Sequence, residues 1–244
     1  MPMIEAIAFD FDGVLADNTQ AHTEARMLAF RRAAITTEDA RYALVPLRVH
    51  EESYPFGESS SAIIAHILGV SGITLDDTVV KQIHDDKKQA YLNRARQGLP
   101  AVAGALDFVA WGQQEYGAEN LAITTRAGLL YEVKPFLALH GLTKSFGHVI
   151  TKEDVPRGKQ KPDPYIYLEA ARRLGIPPEN MAGVEDSPIG SRAARLAGAY
   201  TIAMTNTRDA ELFESAYPQP SAIVDTFDDV KLLLRRAPSL HIAS

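Results

Sequence analysis

Two aspartates separated by one residue are the first side chains that suggest chemistry. Asp10 and Asp12 follow an apolar run that begins at Ile4, and Gly13 comes directly after them. The run is typical of a strand buried on both faces of a parallel sheet, and the glycine allows a turn at its carboxyl end, where open α/β sheets bind ligands. The pattern indicates a cation site, a covalent nucleophile or both. An aspartate-rich turn that merely closes the strand would have the same residues.

Polar side chains also follow the second and fourth predicted strands. The residues at these two strand ends are Thr124, Thr125, Arg126, Glu185 and Asp186. Between them, Lys161 lies in the segment 158–164, just before a predicted helix. Phosphoryl transfer needs a nucleophile, a proton donor, a metal that neutralises oxygen charge, and donors that hold the phosphoryl group. The clusters supply these parts. Taken alone, however, Lys161 could be a solvated charge in a loop, and Glu185 could be a carboxylate that interacts with a helix dipole.

The elements that would position these residues alternate between helix and strand after residue 100. This alternation is the pattern of a parallel sheet with crossover helices. The predicted strands, about six in number, cover residues 4–9, 121–123, 147–150, 181–184, 200–204 and 222–224. The main predicted helices cover residues 105–116, 128–139 and 164–174, and a further helix starts at Ser187. Trp111 is interpreted as a core residue.

Residues 17–98 contain no convincing strand, and helices are predicted there at 18–34, 62–68 and 75–97. A helical insert directly after the acidic motif predicts a cap or lid, with residues 1–16 and 99–244 as the α/β core. His22 lies close in sequence to the carboxylates, although a lone helical histidine is also common as a structural or surface residue. The loop 49–58, which includes Glu58, is either a substrate contact or an ordinary surface loop.

Composition excludes several classes of protein. Lys plus Arg number 25 against 31 Asp plus Glu, which gives a net charge of -6 and argues against a nucleic-acid partner. The absence of Cys excludes disulfides, thiolate catalysis and zinc sites built on cysteine. No apolar run reaches the roughly twenty residues that a membrane span needs. We therefore expect a cytoplasmic protein without membrane contact, and the sequence does not indicate its oligomeric state.

The four motifs, in this order, resemble those of the haloacid dehalogenase-like (HAD) hydrolase superfamily. The matching segments are 10–14, 121–125, 161–164 and 184–187. The resemblance covers nearly the whole chain and points to the helical-cap branch near β-phosphoglucomutase and phosphoglycolate phosphatase. It implies an α/β fold with a Rossmann-like parallel sheet core and an inserted α-helical cap domain.

The resemblance also implies a role for each catalytic candidate. Asp10 would attack phosphorus and form an aspartyl-phosphate, and Asp12 would protonate the leaving oxygen and then activate water or a second acceptor. Lys161 would pair with Asp10 and the phosphate. Thr125 would donate hydrogen bonds to the phosphoryl oxygens, and Thr124 would take that role if the register is off by one.

Mg²⁺ is the implied cofactor, since it is a hard ion that takes oxygen ligands. Asp10 and Asp186 would bind it directly, Asp12 through its backbone carbonyl, and Glu185 directly or through a neighbour. Arg126 stands where family members often have Asn or a small residue. It would add charge to the phosphate site, contribute a selectivity contact, or point into solvent.

The implied function is hydrolysis of a small phosphorylated metabolite, such as a sugar phosphate, with His22 and Glu58 as further substrate-binding candidates. A β-phosphoglucomutase-like mutase is the alternative, but segment 56–60 of the cap loop lacks the arginine that mutase-like members use. Arg48 or the pair Lys87 and Lys88 would have to replace it. Asp12 argues against dehalogenase chemistry. A remote alternative is a non-catalytic protein that binds a phosphorylated ligand.

Overall fold

The computed structural model describes residues 3–45, 60–74, 76–207 and 209–236. The chain divides into two compact units, one formed by Met1–Asp17 with Gly98–Ser244 and the other by Asn18–Gln97. We call the first the core unit and the second the helical unit. The chain thus leaves the core unit soon after the acidic motif and returns to it at Gly98.

The core unit contains a single six-stranded sheet. Its strands are β1 (Ala6–Phe9), β2 (Leu121–Thr124), β3 (His148–Ile150), β4 (Met181–Glu185), β5 (Tyr200–Met204) and β6 (Ala222–Val224). The order across the sheet is β3-β2-β1-β4-β5-β6, and all neighbours are parallel. This arrangement confirms the predicted Rossmann-like α/β core. It also places the carboxyl end of β1 between the carboxyl ends of β2 and β4.

The helices are numbered along the chain. The helical unit contains α1 (Thr19–Thr36), α2 (Arg41–Leu44), α3 (Ser60–Val70) and α4 (Asp77–Ala95). The core unit contains α5 (Ala105–Tyr116), α6 (Lys134–Leu139), α7 (Tyr165–Leu174), α8 (Pro188–Ala197), α9 (Ala210–Glu214) and α10 (Phe227–Arg236).

Side-chain alternation along β1 explains how the sheet is covered on both faces. Phe9 meets Phe108 of α5 edge to face, with ring centroids 5.5 Å apart. Ala8 instead belongs to a buried cluster with Tyr167 of α7 and Ala194 of α8. Neighbouring strand residues point to opposite faces, so helices cover both of them. All four residues of β1 are buried, which accounts for the unbroken apolar run in the sequence.

The segment predicted as one helix over residues 128–139 is divided in the structure. Leu129–Val133 forms a π-helical segment, and α6 begins only at Lys134. The N–H of Val133 donates to the carbonyl oxygen of Gly128 at 3.3 Å, which is the wider π-type spacing. The carboxylate of Glu132 also turns back to accept the Gly128 N–H at 2.6 Å. This local contact competes with regular helix geometry, and apolar periodicity does not reveal it.

The helical unit has its own buried cluster. Phe30 of α1 packs with Tyr42 of α2, Ile67 and Leu68 of α3, and Ile83 of α4. Asp76 caps α4 by accepting the N–H groups of the two residues that follow Asp77 in that helix. This unit therefore buries an apolar interior of its own.

A membrane-spanning helix would need about twenty consecutive apolar residues. Among the residues that the structure describes, none of the helices meets that requirement.

Candidate active site

Asp10 is the first residue beyond β1. Its backbone N–H donates to the Val184 carbonyl oxygen of β4 at 2.9 Å. Because β1 is paired with a strand on each side, the sheet fixes the backbone of this residue. Its side chain is largely withdrawn from water, and the whole residue is 7% exposed. The central strand therefore presents a buried carboxylate at the edge of the sheet where α/β proteins bind ligands.

A tight turn follows Asp10. The N–H of Ala16 donates to the Phe11 carbonyl oxygen at 2.8 Å, and the N–H of Gly13 donates to the Ala16 carbonyl oxygen at 2.9 Å. Gly13 has a φ of 79°, a conformation that favours glycine. A Cβ atom at this position would overlap the carboxylate of Asp186. The glycine is thus needed both for the turn and for the space that Asp186 occupies.

Asp12 lies in this turn with an altered proton affinity. Burial raises the pKa of its carboxyl well above the ordinary value, and the charges of Asp10, Glu132 and Asp186 raise it further. The charge of Arg126 lowers the pKa of this carboxyl. A raised pKa keeps a proton on the carboxyl at higher pH, which is the state that a general acid needs.

Lys161 connects two of the carboxylates. Its Nζ lies 3.0 Å from Asp10 Oδ1 and 2.6 Å from Glu185 Oε1, and it also donates to the Thr124 carbonyl oxygen at 3.0 Å. Burial alone lowers the pKa of this ammonium, but the contacts with Asp10 and Glu185 outweigh it and raise the pKa above its ordinary value. Lys161 is therefore charged, and it holds Asp10 in one position.

Glu185 ends β4 and is fully buried. Besides Lys161, the phenol of Tyr167 donates to Glu185 Oε1. Ser187 caps α8 through its hydroxyl, which accepts the Gly190 N–H at 3.2 Å. The start of α8 thus follows the acidic pair directly, and a buried side chain from α7 supports Glu185.

Three carboxylates form a cluster that could hold a metal ion. Asp10, Glu185 and Asp186 each offer an oxygen within 4.8 Å of the others, and all three residues are buried. Lys161 supplies one positive charge among these three acids, and burial together with the charge of Asp10 raises the pKa of Glu185 to about 8, as expected where buried acids are not fully neutralised. Carboxylate oxygens are the donors that a hard divalent cation prefers, and a buried acidic excess is stabilised by such a cation. The donor set therefore fits Mg²⁺.

The two threonines after β2 differ in what their hydroxyls contact. Thr124 Oγ1 donates to the Phe9 carbonyl oxygen at 3.3 Å, inside the sheet. Thr125 Oγ1 accepts the Ala127 N–H at 2.9 Å, in the loop beyond the strand. Both residues are fully buried, whereas Arg126 is exposed. The loop position of Thr125 agrees better than the sheet position of Thr124 with a contact to a ligand.

His22 belongs to the helical unit. Lys87 Nζ lies 3.1 Å from its Nδ1, and Asn18 Nδ2 lies 3.3 Å from its Nε2. Its ring stacks on that of Tyr91 with centroids 4.0 Å apart. Burial lowers the pKa of His22 well below its ordinary value, and the charges of Lys87 and Arg26 lower it further. Glu58 and Arg48, the other candidates before α3, lie outside the described residues.

Several side chains around the carboxylates are not marked by any sequence pattern described above. They are Glu132, Tyr167, Asn206 and Thr207. Asn206 and Thr207 follow β5, so the rule that polar residues collect at strand ends applies to them as well. Glu132 and Tyr167 lie inside helical segments, where no comparable pattern marks them.

A model of the haloacid dehalogenase-like hydrolase family matches residues 4–198. The chain belongs to this family. The match extends from β1, which Asp10 directly follows, to the end of α8, and so spans all four of the motifs on which the resemblance rests.

Relatives of this chain include phosphatases. A validoxylamine A 7'-phosphate phosphatase from Streptomyces hygroscopicus subsp. limoneus is 29% identical over 217 residues, covering 88% of this chain and 92% of the relative. A phosphorylated carbohydrates phosphatase from Thermotoga maritima is 31% identical over 202 residues, covering 80% of this chain and 82% of the relative. These matches confirm the predicted enzyme class, a HAD-like phosphohydrolase.

Further matches include proteins named for the predicted branch of the family. A phosphoglycolate phosphatase from Salmonella paratyphi A is 25% identical, and the match covers 93% of this chain and 91% of the phosphatase. The solved structure of a β-phosphoglucomutase from Clostridium difficile has a TM-score of 0.63 at 19% identity, with 96% of each chain covered. A HAD-like protein from Agrobacterium tumefaciens reaches a TM-score of 0.71 at 19% identity, covering 95% of this chain and 98% of its own. The structural matches confirm the HAD fold.

Proposed function

We propose that this protein is a magnesium-dependent phosphatase that hydrolyses a small phosphorylated metabolite through an aspartyl-phosphate on Asp10. The observation that supports it most strongly is the position of Asp10, which lies within the acidic cluster while Lys161 holds one of its oxygens at 3.0 Å. Because the Lys161 ammonium binds one oxygen of the Asp10 carboxylate, the second oxygen is available as the nucleophile. The ammonium also reduces the repulsion between that carboxylate and an anionic substrate.

In the first step, a carboxylate oxygen of Asp10 forms a bond to phosphorus while the bond from phosphorus to the leaving oxygen breaks. Asp12 gives its proton to the leaving oxygen, which departs as an alcohol. The raised pKa of Asp12 supports this assignment, because the carboxyl must be protonated when the substrate binds. Thr125 and Arg126 would donate to the phosphoryl oxygens.

In the second step, Asp12 is a carboxylate and takes a proton from water. The water oxygen attacks the phosphorus of the aspartyl-phosphate, the bond to the Asp10 oxygen breaks, and inorganic phosphate leaves. Asp10 and the protonated Asp12 are thereby restored. Asp12 thus serves as the acid in the first step and as the base in the second, because the proton moves in opposite directions in the two steps.

The metal would be held by the carboxylates of Asp10 and Asp186, by the backbone carbonyl of Asp12, and by Glu185 directly or through a neighbour. Bound there, Mg²⁺ supplies positive charge to the phosphoryl oxygens and shields them from the acidic residues. Glu185 would be the weakest of these ligands, because Lys161 and Tyr167 already donate to its Oε1.

The substrate we favour is a phosphorylated carbohydrate or a similarly small phosphate monoester. The names of the relatives support this class, since one acts on phosphorylated carbohydrates and another on validoxylamine A 7'-phosphate. We further propose that the helical unit is the cap that selects the substrate, with His22 and Glu58 among its contacts.

The test measures phosphate release from sugar phosphates, polyol phosphates, phosphoglycolate and nucleotides, with Mg²⁺ present or chelated. Asp10→Asn should abolish release, because the amide is not a nucleophile. Asp228→Asn is the matched control, since this carboxylate has an 89% exposed side chain on α10. We expect the control to retain the activity of the unmodified protein.

A parallel assay for isomer exchange of sugar phosphates separates hydrolysis from mutase chemistry. Isomer exchange without net phosphate release would show that the protein is a mutase and not a phosphatase. Full activity of Asp10→Asn would show that Asp10 is not the nucleophile. Tight ligand binding without turnover of any compound would favour a protein that only binds phosphorylated ligands.

A further inference from the structure

The loop that follows β5 contacts the acidic residues of the site through two side chains. Asn206 Nδ2 donates to the Gly13 carbonyl oxygen at 2.6 Å. Thr207 Oγ1 donates to Asp186 Oδ2 at 2.5 Å. The proposed phosphatase chemistry gives neither residue a role, and both lie outside the four motifs on which the family resemblance rests.

The oxygen that Thr207 contacts is confined on a second side. Asp186 Oδ2 fills the space where Gly13 would carry a Cβ atom, and the Thr207 methyl carbon lies 3.2 Å from that same position. Asp186 itself is only 6% exposed. One carboxylate oxygen is therefore fixed between the turn after β1 and the loop after β5, and this fixes the direction of the second oxygen.

We propose that Thr207 is a positioning residue that orients the Asp186 carboxylate as a metal ligand. This inference rests on the proposed function, because it requires a divalent cation at the acidic cluster. A ligand carboxylate that is free to rotate must be ordered when the ion binds. A hydrogen-bond donor that orders it beforehand raises affinity, and removal of such a partner typically lowers metal affinity by about 10–100-fold.

The same loop provides a matched control. Thr205 Oγ1 donates to the Val224 carbonyl oxygen at 3.3 Å and contacts the Asp225 carboxylate. Thr205 is thus a partly buried threonine of the same loop whose hydroxyl contacts β6 and the residue after it. If the loop acts only as structural support, changes at Thr205 and Thr207 should have equal effects.

The experiment is calorimetric titration of the metal-free full chain with Mn²⁺ as the probe, repeated with Mg²⁺. Thr207→Val removes the donor at nearly constant volume, and Thr207→Ala removes it without a β-branched side chain in case the valine variant fails to fold. Both should raise the Mn²⁺ Kd about tenfold or more. Thr207→Ser keeps the hydroxyl and should restore a Kd within about threefold of the unmodified protein, as should Thr205→Val.

The outcomes separate this inference from the proposed function. If the unmodified protein binds Mn²⁺ and the valine and alanine variants bind it equally well, the positioning role is wrong while the phosphatase proposal stands. An equal loss of affinity in Thr205→Val would also overturn the positioning role. If the unmodified protein binds neither ion, both proposals fail.

Discussion

Gly190 leaves the space that the Glu185 carboxylate fills. A Cβ atom on this helical glycine would overlap both carboxylate oxygens of Glu185. The glycine lies in the first turn of α8, so the helix begins immediately beside a buried acid. The acidic cluster therefore depends on a missing side chain as well as on the side chains that are present.

Gly190→Ala should displace Glu185 and disturb the acidic cluster. We expect kcat/KM to fall by about tenfold or more and stability to fall by about 1–3 kcal/mol, because the new methyl group overlaps a buried carboxylate. Enzyme assays and urea unfolding measure the two effects. The control is Gly69→Ala, at a helical glycine of α3 where a Cβ meets no atom within 4 Å. There the same change should leave activity intact and raise stability by up to about 1 kcal/mol.

Lys161→Met should leave two buried carboxylates without their shared cation. Removing one member of a buried ion pair costs about 3–5 kcal/mol, and kcat should fall by about 100-fold or more because Asp10 loses its orientation. Stability and kcat are measured together. Lys159→Met is the control, since this lysine is 55% exposed and pairs with Asp163 on the surface. Comparable losses in both variants would contradict a special role for Lys161.

Divalent metal should stabilise the folded protein. A ligand that binds only the folded state adds about 2.7 kcal/mol at a concentration of 100 Kd. Scanning calorimetry should therefore record a rise in Tm on addition of Mg²⁺, reversed by a chelator. Asp186→Asn should lose most of this rise, while Asp228→Asn should retain it. An undiminished rise in Asp186→Asn would place the ion elsewhere.

His22 should stay neutral at about pH 6.5, where an ordinary histidine is half protonated. The physical causes are burial and the charges of Lys87 and Arg26. The NMR resonance of its ring protons should not titrate near pH 6.5. Lys87→Met should move the midpoint of the His22 titration upward, while Lys88→Met, at an exposed neighbour, should not.

Since the pKa of His22 is lowered in the folded state, its contribution to stability is present above about pH 6.5 and declines as pH falls toward the folded pKa. A midpoint at the ordinary value would contradict this account.

The strands and the fold class were predictable because buried parallel strands leave short apolar runs that end in polar residues. The bounds of β5, β6 and α5 agree with the prediction, and β1 and β4 differ from it by one or two residues. The sheet order was not predicted, since it depends on where each crossover helix packs rather than on any one segment.

The candidate site was predictable where a motif places a side chain at a strand end or, for Lys161, in the loop before α7. Asp10, Lys161, Glu185 and Asp186 lie together in the structure although up to 176 residues separate them. Tyr167 was not predictable in the same way. It reaches Glu185 from inside α7, and a tyrosine on an apolar helix face has the same sequence pattern whether or not its hydroxyl contacts an acid.

The central position of β1 has a consequence for synthesis of the chain. Its two partners are β2, which begins at Leu121, and β4, which begins at Met181. The ribosome therefore completes the whole helical unit, with a buried cluster of its own, while both edges of β1 still lack partners. One edge of β1 stays unpaired until Met181 and the rest of β4 have been made, and an apolar strand with an unpaired edge is prone to aggregate.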